Sequence, residues 1–255
     1  MSRSLCGWRI WVPRASEQAG PLCELIRAHD GDPLCLPALR IQPLEAGWPF
    51  DTPPDWVIFV STNAVEHGFT RFPELNRYLG AVAAIGRATR AALLSRCGAG
   101  VRVTMPSGGF DSEALLAMPE MQEVAGRRVL IVKGEGGRRD LADALRARGA
   151  EVIEQAVYRR ALPEYPRVRL DAAFATPLDA ALATSGEVLD NMRRLLGGRG
   201  CCRDTLLITP SRRVAARPAA TAFGRVIVSR EPGDAAMFDA LLEARGASAP
   251  DGSSP

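Results

Sequence analysis

The chain has 255 residues, of which 47% are apolar and 24% are charged, a composition typical of globular proteins. Its 32 basic and 29 acidic residues leave a formal net charge of only +3 and are scattered along the sequence, which argues against a nucleic-acid-binding tail or a polybasic membrane segment. No run approaches the ~20 apolar residues that cross a bilayer, and the start of the chain lacks an apolar core of signal-peptide length. We therefore expect a cytoplasmic protein.

Apolar runs of strand length alternate with amphipathic stretches of helical period along the chain. The runs expected to form strands are residues 9–12, 56–60, 81–85, 101–105, 128–132, 151–157, 180–184, 205–208 and 225–229. Between most of them apolar residues recur at helical spacing, as do Val188, Met192 and Leu195. Strands and helices in alternation predict an α/β fold with parallel sheets covered by helices on both faces.

This alternation also repeats within the chain. The segments that begin at Val60 and Ala183 share an apolar strand end, a Ser/Thr pair and the same helical spacing, at an offset of 123 positions. Residues 9–37 resemble residues 128–156 in the same way, with Arg14 opposite Lys133. We therefore predict two similar domains, each with a short βαβ piece and a longer βαβαβα piece.

Proline-rich stretches at residues 38–55 and 158–171 interrupt the pattern and are expected to be extended connectors. Each follows a short βαβ piece, so the pattern leaves open whether that piece packs with the longer piece after it or with the other one. The tail, residues 246–255, is rich in small and polar residues and is expected to be disordered.

The stretch VLIVKGEGGRRDLADAL, residues 129–145, sets a basic residue and a glycine cluster after an apolar run. It is not a Walker loop, because Lys133 precedes the glycines, and it is not a G-x-G-x-x-G motif, because Arg139 occupies the third glycine position. One interpretation is an anion site made by Lys133, the backbone at Gly134 and a helix start. The alternative is a tight strand-to-helix turn that needs glycine only for its geometry.

Hydroxyl and amide side chains lie at several of the predicted strand-to-helix junctions, and we consider them candidate ligand contacts. They are Ser61, Thr62, Asn63, Thr89, Thr184, Ser185, Thr209 and Ser211, together with Gly186. Helix capping alone explains any one of them. However, ligands of open α/β sheets bind at the carboxyl ends of the strands, so such groups could line one cleft and suit a ligand with many carboxylates.

Catalytic and metal-binding motifs are missing from the sequence. We find no Ser-His-Asp order, no G-x-S-x-G and no metal-ligand spacing. The six cysteines include no C-x-x-C pair and the two histidines stand apart, which favours reduced thiols over a metal site. Two functions therefore stay open: a module that binds a small polyanion, and an enzyme whose chemistry needs little beyond positioning and a proton.

Five segments carry a resemblance to a known family, in their order and spacing: WVPRA (11–15), DWVIFVSTNAV (55–65), AAIGRATRAAL (83–93), residues 129–160 and LATSGEVLDNM (182–192). In these segments, which span nearly the whole chain, the protein resembles the uroporphyrinogen-III synthase family. Two positions depart from this pattern. The segment TPSRR (209–213) replaces the glycine-threonine form seen at 86–89, and Gly186 stands where the first repeat has Asn63.

The resemblance implies two α/β domains with an active site in the cleft between them. Residues 1–37 would join residues 172–245 in a discontinuous domain, residues 42–158 would form the middle domain, and residues 38–41 and 159–171 would be extended linkers. It implies that hydroxymethylbilane, a linear tetrapyrrole, loses water and closes to uroporphyrinogen III, with its last ring inverted through a spiro intermediate and without a cofactor.

The resemblance also suggests roles for single residues. Tyr158 matches a tyrosine of the family's central unit, and a phenol, which keeps its proton at neutral pH, could donate it to the departing hydroxyl. The alternative is that Tyr158 only packs, with its hydroxyl satisfied. Arg14 and Lys133 are weaker candidates, as contacts for substrate carboxylates. We expect a monomer that takes a small-molecule substrate and no nucleic acid or membrane partner, and contact with the preceding pathway enzyme stays open.

Overall fold

The computed structural model describes residues 4–76, 81–98, 100–108, 111–137 and 139–247. The chain folds into two compact units. Unit 1 comprises the described residues of Met1–Arg40 and Ala161–Pro255, and unit 2 comprises those of Ile41–Arg160. Both units are layered from helices and a mainly parallel sheet, so the predicted α/β class is confirmed.

In the described parts of the chain, the strands are β1 (Arg9–Val12), β2 (Asp32–Cys35), β3 (Arg40–Pro43), β4 (Trp56–Phe59), β5 (Val82–Ala84), β6 (Val103–Thr104), β7 (Arg128–Gly134), β8 (Glu151–Ala161), β9 (Ala180–Leu182), β10 (Leu206–Thr209) and β11 (Arg225–Val228). The helices are α1 (Ser16–Ala28), α2 (Thr62–Arg71), α3 (Arg87–Cys97), α4 (Ser112–Leu116), α5 (Pro119–Gln122), α6 (Asp140–Ala147), α7 (Arg167–Ala173), α8 (Gly186–Leu196), α9 (Arg212–Ala215) and α10 (Asp234–Ala247). Every strand expected from an apolar run is present.

The two sheets have matching topologies. Unit 1 has the strand order β11-β10-β9-β1-β2, and unit 2 has the order β6-β5-β4-β7-β8 with β3 added at the edge beside β8. In unit 1 the pairs β1–β2, β1–β9, β9–β10 and β10–β11 are parallel. In unit 2 the pairs β4–β5, β5–β6, β4–β7 and β7–β8 are parallel. The predicted internal repeat is therefore visible in the fold, because β1, β2 and β9 to β11 occupy the places of β7, β8 and β4 to β6.

Alternation along the central strands gives each sheet two buried faces. In β1, Trp11 packs on the side of α8, whereas Ile10 and Val12 pack on the side of α1 and α10. In unit 2 the residues of β4 divide in the same way, with Phe59 toward α2 and Ile58 toward α6. These strands read as continuous apolar runs because both faces of each sheet are covered.

The helix caps correct the offset of the repeat. Ser61 accepts a hydrogen bond from the Ala64 amide at the start of α2, and Ser185 accepts one from the Val188 amide at the start of α8. Ser185 is therefore the counterpart of Ser61, at an offset of 124 rather than 123. Gly186 consequently corresponds to Thr62 and not to Asn63, and the strands agree, because Trp56 pairs with Val129 as Ala180 pairs with Ile10.

The segments expected to be linkers contain regular structure. Residues 38–41 run into β3, and the Leu44 amide beyond it donates to the Val157 carbonyl at 3.0 Å. In the segment 159–171, β8 continues to Ala161 and α7 begins after Pro166, since a proline is well accommodated at a helix start. The tail prediction falls on residues 248–255, outside the described residues, whereas residues 246–247 belong to α10.

Two further observations concern the cysteines and the membrane. The expectation of unpaired thiols is wrong for Cys23 and Cys35, which form a disulfide because α1 packs on β2 in the first βαβ piece. The remaining cysteines, Cys6, Cys97, Cys201 and Cys202, are free in the structure. In the part of the chain that the structure describes, no helix has the length and apolar character needed to cross a membrane.

Candidate functional sites at the sheet edges

A polar pocket lies at the carboxyl edge of the unit 1 sheet, and we call it the unit 1 pocket. It has a volume of about 430 Å³ and is lined by residues that follow four strands of this sheet, among them Arg14, Thr184, Ser185, Gly186, Ser211 and Arg213. The carboxyl ends of parallel strands meet at one edge, which explains why residues so distant in the sequence come together. Five of these six residues are candidates from the sequence.

The side chains of the unit 1 pocket are largely committed to the fold. Arg14 forms an ion pair with Asp234, at the start of α10, so its charge is balanced before any ligand binds. Ser185 and Ser211 cap α8 and α9, with their hydroxyls accepting from Val188 and Val214 amides at 3.2 and 3.4 Å. Capping, the simpler of the two interpretations of these serines, is therefore confirmed, while their outer faces still line the pocket.

Gly186 lies close to the side chain of Arg217. A Cβ at this position would lie 2.8 Å from Cδ of Arg217. The Arg217 guanidinium donates to Asp190 on α8 at 3.0 Å, and this hydrogen bond holds the pKa of Asp190 below its ordinary value. Any side chain at Gly186 would therefore have to push aside an arginine that is anchored by an ion pair.

A second polar pocket lies at the equivalent edge of the unit 2 sheet, and we call it the unit 2 pocket. Its volume is about 210 Å³, and its lining includes Ser61, Lys133, Gly134, Glu154, Tyr158 and Arg160. The residues come from the ends of β4, β7 and β8 and from the turn after β7. Four of the six were selected from the sequence, and the fold brings them to one place.

Tyr158 is the centre of the unit 2 pocket. Its side chain is only 2% exposed, and its hydroxyl lies 3.0 Å from Oγ of Ser61. The ring packs among the aromatic residues under α2, and the ring of His67 lies 5.7 Å away. The phenol thus has a buried ring and a hydroxyl that reaches a polar pocket, which is the arrangement a proton donor needs.

Lys133 does not face the pocket as a free cation. Its Nζ donates to Glu154 at 2.7 Å, and Arg146 lies 3.5 Å from the same carboxylate. Burial acts to raise the pKa of Glu154, but the hydrogen bond and charge of Lys133, together with those of Arg146, outweigh it and leave the pKa below its ordinary value. A substrate carboxylate at Lys133 would therefore have to share this cation with Glu154.

We predict that Glu154→Gln lowers the free energy of unfolding by about 1–3 kcal/mol at neutral pH, since a charge-assisted hydrogen bond is lost. The folded pKa of Glu154 is depressed, so its contribution is fully present above the unfolded value near 4.5 and is lost as the pH falls through the lower folded value. Urea unfolding from about neutral pH down to about pH 3 should show the wild-type and variant curves converging below about pH 4.5.

The matched control for this prediction is Glu151→Gln, at an exposed position of the same strand. We expect it to change stability by less than about 0.5 kcal/mol at all these pH values. A difference between wild type and Glu154→Gln that stays constant over the whole pH range would contradict the assignment of the effect to the charge of Glu154.

The glycines in residues 129–145 are explained by backbone conformation and by close packing. Gly136 and Gly137 have φ angles of +74° and +83°, a region that glycine adopts readily. Gly134 has ordinary backbone angles, but a Cβ there would lie 2.6 Å from Cζ of Tyr158 and 2.9 Å from its hydroxyl oxygen. The tight-turn interpretation therefore explains Gly136 and Gly137, and close approach to the Tyr158 ring explains Gly134.

The other candidate residues lie elsewhere. Thr62 is exposed at the start of α2 and lines a separate groove between α2 and α3, and Asn63 is half-buried on the same helix. Thr89 is 5% exposed within α3. Thr209 is fully buried, and its hydroxyl donates weakly to the Ser211 and Ile227 carbonyls, at 3.4 and 3.5 Å. Of these four side chains, Thr89 and Thr209 are therefore buried.

Several charged residues of the pockets were not expected from the sequence, among them Arg213, Glu154 and Arg160. Arg213 belongs to the segment TPSRR (209–213), which departs from the repeat. Arginine is so frequent in this chain that a single arginine does not indicate a ligand contact. Glu154 and Arg160 lie on β8, two and four strand positions from Ala156. The pairing of Lys133 with Ala156 in the sheet brings the Glu154 carboxylate diagonally next to the lysine, and this register could not be predicted.

The geometry defines a class of protein: two similar α/β units, each with a hydroxyl- and arginine-containing pocket at the carboxyl edge of its parallel sheet. Residues 21–239 match the family model described as uroporphyrinogen-III synthase HemD. This match covers most of the chain. The chain belongs to the uroporphyrinogen-III synthase family.

Individual relatives are similar over parts of the chain. Uroporphyrinogen-III synthase of Escherichia coli (strain K12) is 36% identical over 127 residues, which is 49% of this chain and 49% of the relative. The enzyme of that name from Synechococcus elongatus is 30% identical over 205 residues, 75% of this chain and 76% of the relative. The protein thus aligns with about half the length of the E. coli relative and with three quarters of the Synechococcus relative.

Solved structures share the fold at low sequence identity. The crystal structure of uroporphyrinogen-III synthetase from Helicobacter pylori 26695 has a TM-score of 0.63 and 14% identity, and the match covers 93% of this chain and 99% of that one. A mutant uroporphyrinogen III synthase from the extremely thermophilic bacterium Thermus thermophilus has a TM-score of 0.54 and 16% identity, and the match covers 93% and 100% of the two chains. At such identities the likeness concerns the fold alone.

Proposed function

We propose that this protein is a cyclising lyase that converts hydroxymethylbilane to uroporphyrinogen III, in tetrapyrrole biosynthesis leading to haem. Membership of the family supports this activity. The observation in the structure that carries it is the phenol of Tyr158, whose ring is buried while its hydroxyl reaches the unit 2 pocket beside Ser61. This is a proton donor without the triad or metal spacing of hydrolytic enzymes.

The chemistry needs little from the protein besides this proton. The electron-rich pyrrole that carries the hydroxymethyl group, at the opposite end from the last ring, expels the hydroxyl group and becomes an azafulvenium cation. Tyr158 donates its proton to this hydroxyl group, so that it leaves as water. The substituted carbon of the last ring then attacks the cationic carbon and gives the spiro intermediate. Rearrangement and closure release one proton from a ring carbon, and that proton restores the phenol, so that the overall loss is one water molecule.

Orientation decides the product. An unaided substrate closes end to end, without inversion of the last ring, so the protein must hold the chain in the conformation from which the substituted carbon attacks first. The acetate and propionate groups give it many carboxylates to hold. Hydroxyls and arginines suit that task, and we assign it to Arg14, Ser185, Ser211 and Arg213 in unit 1 and to Lys133 in unit 2.

The direct test is incubation of the protein with freshly generated hydroxymethylbilane, followed by oxidation of the products and chromatographic separation of the type I and type III isomers. We expect the type III isomer to dominate with the protein and the type I isomer without it. Binding of the substrate with only the type I product would instead favour a module that carries a polyanionic ligand, and would reject the enzyme.

We include the cellular setting in the same proposal. The free thiols of Cys6, Cys97, Cys201 and Cys202 favour a cytoplasmic location, where thiols stay reduced, whereas the disulfide between Cys23 and Cys35 counts against it. Among the described residues the large hydrophobic side chains that are exposed are Val168, Val226 and Val228, which supports a monomer. Cell fractionation tests the location, and light scattering tests the monomer. Co-purification tests for contact with the preceding pathway enzyme.

A further inference from the structure

The hydrogen bond between Ser61 and Tyr158 gives the serine a function besides helix capping. The Ala64 amide donates to Oγ of Ser61 at 3.0 Å, and the hydroxyl of Tyr158 lies 3.0 Å from the same oxygen. In the parts of the chain that the structure describes, Ser61 is the residue that hydrogen-bonds the Tyr158 hydroxyl. The capping bond fixes the position of the serine oxygen, and the serine oxygen in turn fixes the position of the phenol.

Proton counting determines which hydroxyl must donate in the reaction. Ser61 has one proton and two lone pairs, and the Ala64 amide occupies one lone pair. If Tyr158 donates to Ser61, the proton of the phenol is held in that bond. If Ser61 donates to Tyr158, the proton of the phenol is free to reach the substrate, and the phenolate that forms keeps a hydrogen-bond donor.

We propose that Ser61 is a positioning residue for the acid: it donates its proton to the Tyr158 oxygen and stabilises the phenolate that develops while the substrate hydroxyl leaves as water. This inference rests on the proposed function and extends it to a residue that touches the tyrosine. A hydrogen bond to an ionised oxygen is worth more than one to a neutral phenol, so the bond strengthens in the transition state. Removing it therefore lowers kcat.

Charged and titratable groups surround Tyr158 in addition to Ser61. Those that line the same pocket or face the ring are His67 on α2, Lys133 and Glu135 at the end of β7, and Glu154 and Arg160 on β8. The ammonium group of Lys133 is engaged by Glu154 at 2.7 Å. The serine hydroxyl, by contrast, already lies at hydrogen-bond distance from the phenol.

The experiment is a double-mutant cycle with Ser61→Ala and Tyr158→Phe, read as kcat and KM for formation of the type III isomer. In the wild-type background, Ser61→Ala should lower kcat about 10- to 100-fold, the effect of losing a hydrogen bond to a charged oxygen, with little change in KM. In the Tyr158→Phe background it should have no further effect on kcat. Ser61→Thr, which retains a hydroxyl and a helix cap, should restore most of kcat.

Capping is controlled with Asp111→Ala, which removes the cap of α4 in the same unit, where the carboxylate accepts from the Ala114 amide at 2.8 Å. This variant should lose stability as Ser61→Ala does, by about 1 kcal/mol, and should keep wild-type kcat. The inference is overturned if Asp111→Ala lowers kcat as much as Ser61→Ala, if Ser61→Ala lowers kcat equally in both tyrosine backgrounds, or if it raises KM alone.

The outcomes separate this inference from the proposed function. A wild-type protein that yields only the type I isomer overturns both. A wild-type protein that yields the type III isomer, with Ser61→Ala at the same kcat, overturns the role of Ser61 and leaves the proposed function standing.

Discussion

Replacing Tyr158 with phenylalanine is expected to lower kcat for the type III isomer by about 10²- to 10⁴-fold, the usual contribution of a general acid. The fold should survive, because the buried ring keeps its shape and only the hydrogen bond to Ser61 is lost, at a cost of about 1 kcal/mol. Because the substrate supplies most of the driving force, a slow residual reaction should remain. Steady-state kinetics combined with urea unfolding measures both effects.

Tyr165→Phe is the matched control for this variant. It removes the same atom from a half-buried tyrosine, whose hydroxyl donates to the Pro37 carbonyl at 2.9 Å within unit 1. We expect a similar loss of stability and no loss of kcat. Unchanged turnover in Tyr158→Phe, or an equal fall in both variants, would remove Tyr158 from the chemistry and leave it a packing residue.

Much of the fold was predictable from the sequence because the apolar pattern is a direct consequence of burial. Strands such as β4 and β7 are covered on both faces, so residues 56–59 and 129–132 are apolar without interruption. The same reasoning located the pockets in outline. The carboxyl ends of parallel strands meet at one edge, which is why Arg14, Ser185 and Ser211 converge although they are far apart in the sequence.

The details of the sites depend on register and on partners, which the pattern does not contain. A bulge in β8 places Tyr158 opposite Gly134, whereas Ala156 stands opposite Lys133. One residue more or less would have turned the phenol away from Ser61. The ion pairs of Arg14 and Lys133 were equally hidden, because they join side chains on different elements.

Other discrepancies have local causes. The stretch after Pro166 was expected to be extended because prolines disrupt regular structure, but a proline that precedes a helix favours its first turn, and α7 begins there. Thr89 and Thr209 are candidates because they stand near strand ends, yet Thr89 is buried within α3 and Thr209 is buried as the last residue of β10. A hydroxyl near a strand end is thus a weak signal until the packing of the next helix is known.

The second large effect is expected for Gly134→Ala. The added Cβ would lie 2.6 to 2.9 Å from the Cζ, Cε2 and hydroxyl oxygen of Tyr158, distances that real Cβ contacts essentially never show. Since the ring is 2% exposed and packed under α2, the tyrosine cannot move away freely. We expect a loss of about 1–3 kcal/mol in the free energy of unfolding, as for other overpacked sites.

The same substitution should lower kcat to about the level of Tyr158→Phe, because the phenol oxygen would leave its position beside Ser61. Gly47→Ala is the control: it makes the same chemical change in the same unit, at an exposed glycine with nothing within 4 Å of the new methyl group, and should leave kcat and stability unchanged. The comparison also separates two roles for Gly134. Alanine keeps the backbone amide, so a glycine that acted only as an N–H donor to the substrate would tolerate the change. If Gly134→Ala retained wild-type kcat, close packing against the tyrosine would not be what requires glycine at this position.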